Sequence, residues 1–496
     1  MIVILLVPLI TALLCYSLKG ERLSGYVSLG GSIVLSIVAF PFVRDAFNSP
    51  LMALNGNLYM DGLSAYIMAL VIFLGLMSSA YSTGYITHEF HVGLIDLKGI
   101  RRYYALLHLF VFTMLLVTVS NNLALLWMAV EATTIVSAVL IGLGYTKRPM
   151  AIEAAWKYVI LCTVGITFAL LGTFITYYAS TGVTGSKGLL LWTDLRSVAQ
   201  GLNPATMKLA FIFILVGYGT KAGLAPVHNW LPDAHSEAPS PISALLSGIL
   251  LNTAFYGIIR FMSIVEPSTG DVFTGNLLIL FGLISIGISA IFILVQENYK
   301  RLLAYSSIEH MGIISLGIGI GGFAGLYGAL LHILNHALAK PLMFFTAGKI
   351  QAHYGSTRIE RVSGVLSSMP FLGVLTFIGA LSLSGSPPFN IFLSEFTILK
   401  AGVDKGLWPV VAVFLIFVVM VFYGMLSGFG RILFGAKTET ISVPKVTVGH
   451  GPSNSGIDIL SGAVFLLMAI CIIALGLRVP DFIDSAIRVC IGIMER

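Results

Sequence analysis

The chain has 496 residues, of which 57% are hydrophobic and only 10% charged. Its mean hydropathy is +0.95. A soluble domain carries about 25% charged residues, so this composition excludes a soluble globular protein and indicates that lipid surrounds most of the surface. The net charge of +6 does not predict a nucleic-acid partner, because the basic residues are scattered singly and form no cluster.

Apolar runs of roughly 20 residues, the length that crosses a bilayer core, recur along the whole chain. The first run follows Met1 without a positively charged leader or a small-residue cleavage site, so it predicts a transmembrane helix rather than a signal peptide. The predicted fold class is an all-α polytopic membrane protein of about 14 transmembrane helices, in a single membrane domain over 1–496. The runs are centred near residues 10, 34, 71, 112, 133, 166, 217, 251, 284, 312, 336, 380, 421 and 467.

Two of the predicted helices are interrupted by proline. The segment 208–235 contains Pro226 and Pro232, and the segment 367–400 contains Pro387 and Pro388. Proline breaks a helix, and a break at membrane depth is stable only where it faces protein or a watery cavity. Two broken helices in corresponding halves of a chain are typical of a transporter's internal repeats and its substrate site. The simpler alternative is that these prolines only kink two helices.

Charged residues lie inside the apolar runs of the first half. A charge at the bilayer centre costs several kcal/mol, so each one needs a reason. Glu131 is the only charged residue of its helix, and Lys221 lies five residues before Pro226. We expect Glu131 and Lys221 to form an ion pair, since pairing offsets their desolvation. Glu153 and Lys157 are four residues apart and could pair on their own helix.

A second group of ionisable residues lies in the other half. His332, His336 and Lys340 are spaced i, i+4 and i+8, which places them on one helical face. His310 lies in another apolar run, and Glu395 follows the second break. A string of acids, bases and imidazoles through a membrane is typical of a proton relay, because each group can take or give a proton. The alternative for any one of them is a paired or snorkelling charge with a structural role.

Motifs for nucleotide, metal or redox chemistry are missing from the sequence. There is no phosphate-binding GxxxxGK[ST] segment. The four cysteines are far apart, without the spacing of a metal or redox site; they are Cys15, Cys162, Cys471 and Cys490. The sequence therefore predicts no cofactor, no metal site and no catalytic residue. Energy must come from an ion gradient or a partner protein.

Three long segments carry a family resemblance: GYGTKAGLAPVHNWLPDAHSEAPSPISALLSGILLNTAFYGIIR, RLLAYSSIEHMGII and LHILNHALAKPLMFFTAGKI. They resemble the signature of the antiporter-like membrane subunits of respiratory complex I, Mrp Na+/H+ antiporters and group 4 membrane-bound hydrogenases. The Ile-Glu-His-Met-Gly motif at 308–312 is most similar to the hydrogenase-4 component F type. The sequence also resembles chain M of complex I.

The resemblance implies 14 helices with two inverted five-helix repeats, each with a broken helix. It divides the chain into an N-terminal group of three helices in 1–103, a first repeat in 104–265, a second repeat in 272–435, and a C-terminal helix and tail in 456–496.

The resemblance also assigns roles by position. Glu131 and Lys221 match an essential glutamate–lysine pair, and Glu395 matches an exit-side residue. The complex I members of this family resemble one another in having a lysine at the position of Asn252. Asparagine cannot carry a proton in this pH range. The complete set of candidate proton-transfer residues is Glu131, Lys157, Lys221, His228, His310, His332, His336, Lys340 and Glu395.

The function implied is that of a proton-translocating subunit in a redox-driven complex, either a group 4 [NiFe] hydrogenase, a formate hydrogenlyase or a complex I-type oxidoreductase. A subunit of an Mrp-type Na+/H+ antiporter and a non-conducting membrane anchor are the alternatives. The expected partners are other membrane subunits, protons or Na+, and the lipid bilayer. The loops opposite the termini carry more lysine and arginine, so we expect both termini outside. The resemblance implies a prokaryotic inner (plasma) membrane.

Overall fold

The computed structural model describes residues 1–143, 149–185, 187–435 and 458–495. Within these ranges the chain is almost entirely helical, as its composition predicts. The predicted start of the C-terminal segment at 456 lies outside the described residues. The helices are α1 Ile2–Ser17, α2 Glu21–Ala46, α3 Gly62–His91, α4 Leu97–Val119, α5 Leu123–Gly142, α6 Pro149–Thr184, α7 Trp192–Ser197, α8 Pro204–Ala222, α9 Trp230–Glu237, α10 Ser240–Leu245, α11 Leu251–Thr269, α12 Asp271–Leu294, α13 Tyr299–Ile320, α14 Gly322–Tyr354, α15 Val365–Ser368, α16 Pro370–Leu383, α17 Asn390–Asp404, α18 Trp408–Phe434, α19 Ile459–Leu477 and α20 Asp481–Met494.

Eleven helices in the described part of the chain are long and apolar enough to cross a membrane; α1 and α16 are apolar but shorter. A π-helical turn at Leu246–Leu250 joins α10 and α11 into one of the eleven. All fourteen predicted centres lie within helices. The predicted centres near residues 10, 336 and 380 fall in α1, α14 and α16. These three helices are not among the eleven candidate spans, so the count of fourteen spans stays a prediction.

The most buried helices form the centre of the bundle. They are α3, α13, α14 and the span built from α10 and α11. By contrast, α2 and α18 expose most of their apolar side chains, which is the arrangement expected where lipid is the outer solvent.

Both predicted helix breaks are present. In the first, α8 ends at Ala222, Gly223 adopts a left-handed conformation with φ of +76°, and helical structure resumes at Trp230. In the second, α16 ends at Leu383 and α17 begins at Asn390. The Ala225-Pro226 and Pro387-Pro388 peptide bonds are cis. Pro226, Pro387 and Pro388 lie in these non-helical segments, so the alternative of simple kinks is wrong. Pro232 lies inside α9 and does not interrupt it.

A β-hairpin between α2 and α3 corrects the all-α prediction. Its strands are β1 Leu51–Ala53 and β2 Leu58–Met60, which pair antiparallel with Leu51 opposite Met60. The Asn55-Gly56 step in the turn has positive φ at both residues, and Asn-Gly is a strong hairpin signal that the search for apolar runs overlooked. The hairpin contacts the α4–α5 junction, where the Asn121 amide donates to the Asn57 carbonyl at 2.9 Å.

A buried ion pair joins α3 to α11. The Arg260 guanidinium donates to both carboxylate oxygens of Asp61, at 2.8 and 2.5 Å, and the two side chains are only 5% exposed. Burial alone would raise the pKa of Asp61, but the Arg260 charge and a hydrogen bond from the Ser64 amide hold that pKa below its ordinary value. Arg260 also donates to Tyr256 at 2.9 Å, so every part of the guanidinium has a partner or an aromatic face.

We predict that Arg260→Met strongly destabilises the chain, because it leaves the Asp61 carboxylate buried without its partner. The expected loss is about 3–5 kcal/mol, measured as a lower midpoint of thermal unfolding of the detergent-solubilised chain. Arg44→Met is the matched control, because the Arg44–Asp45 pair is exposed and should contribute about 1 kcal/mol or less. Equal midpoints for the two variants would contradict the prediction.

Candidate functional site

Lys221 lies in the last turn of α8, immediately before the first break, and its side chain is buried. Its ammonium donates to the Thr134 hydroxyl at 2.9 Å and to the Tyr158 hydroxyl. The ammonium also lies 4.6 Å from the centroid of the Tyr158 ring. Hydroxyl oxygens and an aromatic face therefore stabilise a charge that would be costly to bury alone.

The expected ion pair between Glu131 and Lys221 is not formed. Glu131 lies half-buried on α5, where its carboxylate accepts from Thr163 at 2.8 Å and from Thr134 at 3.4 Å. Within the described ranges, the hydrogen-bond partners of the Lys221 ammonium are hydroxyls and not a carboxylate. The expectation was wrong because neighbouring helices supply hydroxyls in place of an opposite charge. The Thr134 hydroxyl joins the two residues by accepting from Lys221 and donating to Glu131.

Lys157 lies in an open cleft beside the first break rather than in the buried core. Its side chain is 48% exposed and forms the predicted pair with Glu153 at 2.6 Å. It also pairs with Asp233 at 3.3 Å, and the other oxygen of Asp233 accepts from Arg301 at 2.6 Å. The cleft has a volume of about 370 Å³ and is lined by Lys157, Ile160, Leu161, Asn229 and Asp233.

Three predicted residues from three different helices meet in the second half. The Nδ1 atom of His310 on α13 lies 3.0 Å from Nε2 of His332 on α14. The Nδ1 atom of His332 lies 3.0 Å from the hydroxyl of Ser394 on α17. Glu395, the next residue, places a carboxylate oxygen within 4.8 Å of a ring nitrogen of each histidine. Since all three predicted residues are buried, the cluster lies inside the bundle.

Lys340 and His336 lie on the same buried face of α14 as His332. The Lys340 ammonium donates to the Leu303 carbonyl at 3.0 Å and to the Ser306 hydroxyl, both on α13. The His336 ring is 5.4 Å from the His310 ring. Neither nitrogen of His336 has a hydrogen-bond partner in the part of the chain that the structure describes.

His235 is a buried ionisable residue that the sequence analysis missed. It lies on α9, with its ring 6.2 Å from that of Trp230 and 5.5 Å from that of Phe344. Both of its ring nitrogens lack a partner among the described residues. The sequence signal was present, since His235 belongs to the same signature segment as Lys221, but it lies outside any long apolar run.

Two further buried polar residues have unpartnered atoms. Asn252 lies in the first turn of α11, two residues after the π-helical turn; its side-chain amide nitrogen donates to the Gly248 carbonyl at 2.9 Å. Its Oδ1 atom has no partner in the described ranges, and the same holds for Nδ1 of His228 in the first break. A buried polar group without a partner is costly, and these atoms cluster where the predicted relay residues lie.

Buried titratable groups lie at both helix breaks. Lys221 lies at the first break, and His332 with Glu395 lies at the second, next to His310 and His336. All of these side chains are buried. Imidazoles in direct contact, such as those of His310 and His332, can exchange a proton with each other.

A family model described as NADH:quinone oxidoreductase/Mrp antiporter, transmembrane region, matches residues 120–421. This range includes both breaks and all nine predicted proton-transfer residues. A hydrogenase-4 component F homolog from Methylacidiphilum infernorum is 38% identical over 406 residues, which cover 81% of this chain and 83% of that protein.

Two other proteins extend the comparison. The NADH-quinone oxidoreductase subunit N of Desulforudis audaxviator is 31% identical, with 73% of this chain and 69% of that protein covered. A chain of the membrane-bound sulfane sulfur reductase, an archaeal respiratory membrane complex, matches with a TM-score of 0.83 at 25% identity, covering 99% of this chain and 96% of that one. The family resemblance predicted from the sequence is confirmed.

We predict ordered water next to His235, His336 and Asn252, because buried polar atoms without a protein partner usually bind water in folded proteins. An experimental map that resolves solvent should show density within hydrogen-bond distance of the unpartnered ring nitrogens. A map that resolves other internal waters but leaves both histidines dry would contradict the prediction.

Proposed function

The chain belongs to the NADH:quinone oxidoreductase/Mrp antiporter transmembrane family, and we propose that it carries protons across the membrane as one subunit of a redox-driven complex. The observation that carries this proposal is the presence of buried titratable side chains at both helix breaks, with His310 and His332 in direct contact. A bundle that served only as a support would have no use for these groups, since each is costly to bury.

At the first break, we propose that Lys221 is the group that changes its protonation. Its ammonium is held by the hydroxyls of Thr134 and Tyr158. When it gives up its proton, no buried carboxylate loses its partner, and the hydroxyls can reorient to donate instead. Glu131 acts on Lys221 through Thr134, so a movement of α5 against α8 changes how well the charge on Lys221 is stabilised.

At the second break, His310 and His332 pass the proton towards Glu395. Imidazole suits this role because one nitrogen can accept a proton while the other releases one. The contact at 3.0 Å between the two rings is a direct path for such a transfer. Glu395 lies in the second turn of α17, where the proton leaves towards the far side. Lys340 supplies a positive charge near these rings, and His336 supplies a further imidazole beside His310.

The nature of the complex is inferred from the relatives. The 38% identity to a hydrogenase-4 component F homolog supports a membrane-bound hydrogenase or formate hydrogenlyase, and the NADH-quinone oxidoreductase subunit N represents the complex I type. In either assembly, the partners of this chain are other membrane subunits, and the redox reaction takes place outside this chain.

Sodium–proton antiport of the Mrp type is the second candidate. The oxygen atoms around Glu131 favour it, because the carboxylate and the hydroxyls of Thr134 and Thr163 are the hard ligands that hard cations prefer. Proton movement into vesicles that contain the assembled complex should proceed equally well in sodium-free buffer if protons alone are carried. A strict requirement for Na+ would support the antiporter instead.

The full architecture belongs to the same proposal. We propose fourteen spans, with two inverted five-helix repeats at 104–265 and 272–435, three helices before them in 1–103 and a final helix and tail in 456–496. The two complete helix breaks, one in each proposed repeat, support this division. The chain would lie in a prokaryotic inner membrane with both termini outside.

This topology predicts which loops a membrane-impermeant thiol reagent reaches. In a chain whose four native cysteines are replaced by alanine, Arg358→Cys should react only after the cells are permeabilised, because Arg358 follows α14 on the inner side. Asp271→Cys, at the start of α12 on the outer side, is the matched control and should react in intact cells. Both native side chains are exposed. The opposite labelling pattern would overturn the orientation.

We predict that Thr134→Val lowers redox-linked proton movement about tenfold or more. The substitution keeps the side-chain shape but removes the hydroxyl between Lys221 and Glu131, and a hydrogen bond to a charged group contributes about 1.5–3 kcal/mol. The measurement is acidification of vesicles that contain equal amounts of assembled complex. Thr133→Val is the control, because the Thr133 hydroxyl is also buried but donates only to the Val130 carbonyl.

Wild-type proton movement in an assembled Thr134→Val complex would show that Thr134 does not couple Glu131 to Lys221. Glu131→Gln should then be made as well, since it removes the charge while keeping the size. If both variants move protons as the wild type does, the proposed role of the first break is wrong.

A further inference from the structure

His310, His332 and Glu395 bring three potential metal ligands together inside the bundle. One ligand atom of each lies within 4.8 Å of the others, and all three residues are buried. We propose that this cluster binds one divalent transition-metal ion, with zinc as the ion that best fits two imidazoles and one carboxylate. This site goes beyond the proposed proton transport, and the sequence analysis predicted no metal site.

The hydrogen bonds of Ser394 favour one tautomer of His332. The Ser394 hydroxyl donates to the Ile391 carbonyl at 2.8 Å, and its oxygen accepts from the Asn335 amide at 3.2 Å. With the hydroxyl hydrogen directed to Ile391, the tautomer that fits is the one with a proton on Nδ1 of His332, 3.0 Å from the Ser394 oxygen. The lone pair of His332 is then on Nε2, the atom that faces His310. A ring held in this way by its other nitrogen is the usual state of a metal-binding histidine.

The spacing of the two rings fits a shared cation. Nε2 of His332 and Nδ1 of His310 are 3.0 Å apart, and two nitrogens bound tetrahedrally to zinc at about 2.1 Å are separated by roughly 3.4 Å. Because Nε2 of His332 carries a lone pair, either a proton on His310 or a cation must lie between the rings. In the metal-free protein, a proton therefore lies between the two ring nitrogens. The rings need to move only slightly apart to bind zinc in its place.

Glu309 supplies the interaction that a metal-bound His310 requires. When His310 binds through Nδ1, its proton moves to Nε2. That atom is 3.5 Å from Oε2 of Glu309, and neither atom has a hydrogen-bond partner elsewhere in the described chain. A carboxylate that accepts from the second nitrogen of a histidine ligand orients the ring and strengthens metal binding. Metal binding would thus give two costly unpartnered atoms a partner in each other.

Glu395 completes the ligand set and the charge balance. Its carboxylate must approach the rings by roughly 1 Å to share a tetrahedral ion with them. With Glu309 as the second carboxylate, the two negative charges balance the two positive charges of the ion. Two histidines and a glutamate leave a fourth position for water, as in zinc sites with an open coordination position.

An ion at this position would also stop proton transfer, because it occupies the lone pairs through which His310 and His332 exchange a proton. This consequence rests on the proposed function, whereas the binding of the metal does not. Metal binding and proton movement therefore need separate measurements.

The test of binding uses the purified full-length chain in detergent, with any affinity tag removed, and zinc chloride as the probe. Equilibrium dialysis should show one tightly bound zinc per chain. X-ray absorption at the zinc edge should show two imidazole nitrogens among the ligands. His332→Gln and Glu395→Gln should each weaken binding at least tenfold, and Glu309→Gln by about 10–100-fold.

His336→Gln is the matched control, because its ring lies only 5.4 Å from that of His310 but is outside the ligand set. This variant should bind zinc as the wild type does, and its thermal midpoint provides a reference for correct folding. The proposal is overturned if folded wild-type chain binds no zinc, if the bound zinc has no imidazole ligand, or if His336→Gln loses zinc while His332→Gln keeps it.

Proton movement forms the second arm of the experiment. Zinc should inhibit vesicle acidification by the wild-type complex at the concentrations that fill the site. Binding without any wild-type proton movement would contradict the proposed function and leave the metal site intact. Normal proton movement with the site filled would contradict the inhibitory role of the ion.

Discussion

The structure depends on how a helix bundle stabilises ionisable groups that are buried away from the surface. Asp61 and Arg260 show one solution, in which opposite charges pair directly through two hydrogen bonds. Lys221 and Lys340 show another, since each ammonium is held by hydroxyl and carbonyl oxygens. A direct pair keeps both charges, because removing either leaves the other buried and unpaired. A charge held by neutral dipoles can be lost without that penalty, and this solution is the one found along the proposed proton path.

The two helix breaks place these groups, and hydrogen bonds from other helices make each break possible. At the first break, the Ala225 amide donates to the Ser285 hydroxyl at 2.9 Å, and the Trp230 indole donates to the Thr220 carbonyl at 2.8 Å. At the second, the Asn335 amide donates to the Asn390 carbonyl at 2.7 Å. Backbone groups beside both breaks thereby have hydrogen-bond partners inside the protein, as membrane depth requires.

The sequence predicted the helices and both breaks because these follow from local features, apolar length and proline. It could not predict which side chains pair, because the choice between a carboxylate and a hydroxyl as the partner of Lys221 depends on how α5 and α6 rotate against α8. The rotation of α6 also decides that Lys157 faces the open cleft. The spacing of residues along the sequence does not predict this rotation. His235 was missed for a different reason: it lies on a short helix after a break, where a search for charges in long apolar runs does not reach.

Asn252 differs from the titratable residues in one physical respect. Asn252 can donate and accept hydrogen bonds but cannot change its charge near neutral pH. It is fully buried and leaves its Oδ1 atom without a partner in the described chain. Both ring nitrogens of His235 and both of His336 also lack a hydrogen-bond partner among the described residues. Neutral imidazoles cost less to bury than an ammonium and still exchange protons, so the proposed proton path does not require a lysine at the position of Asn252.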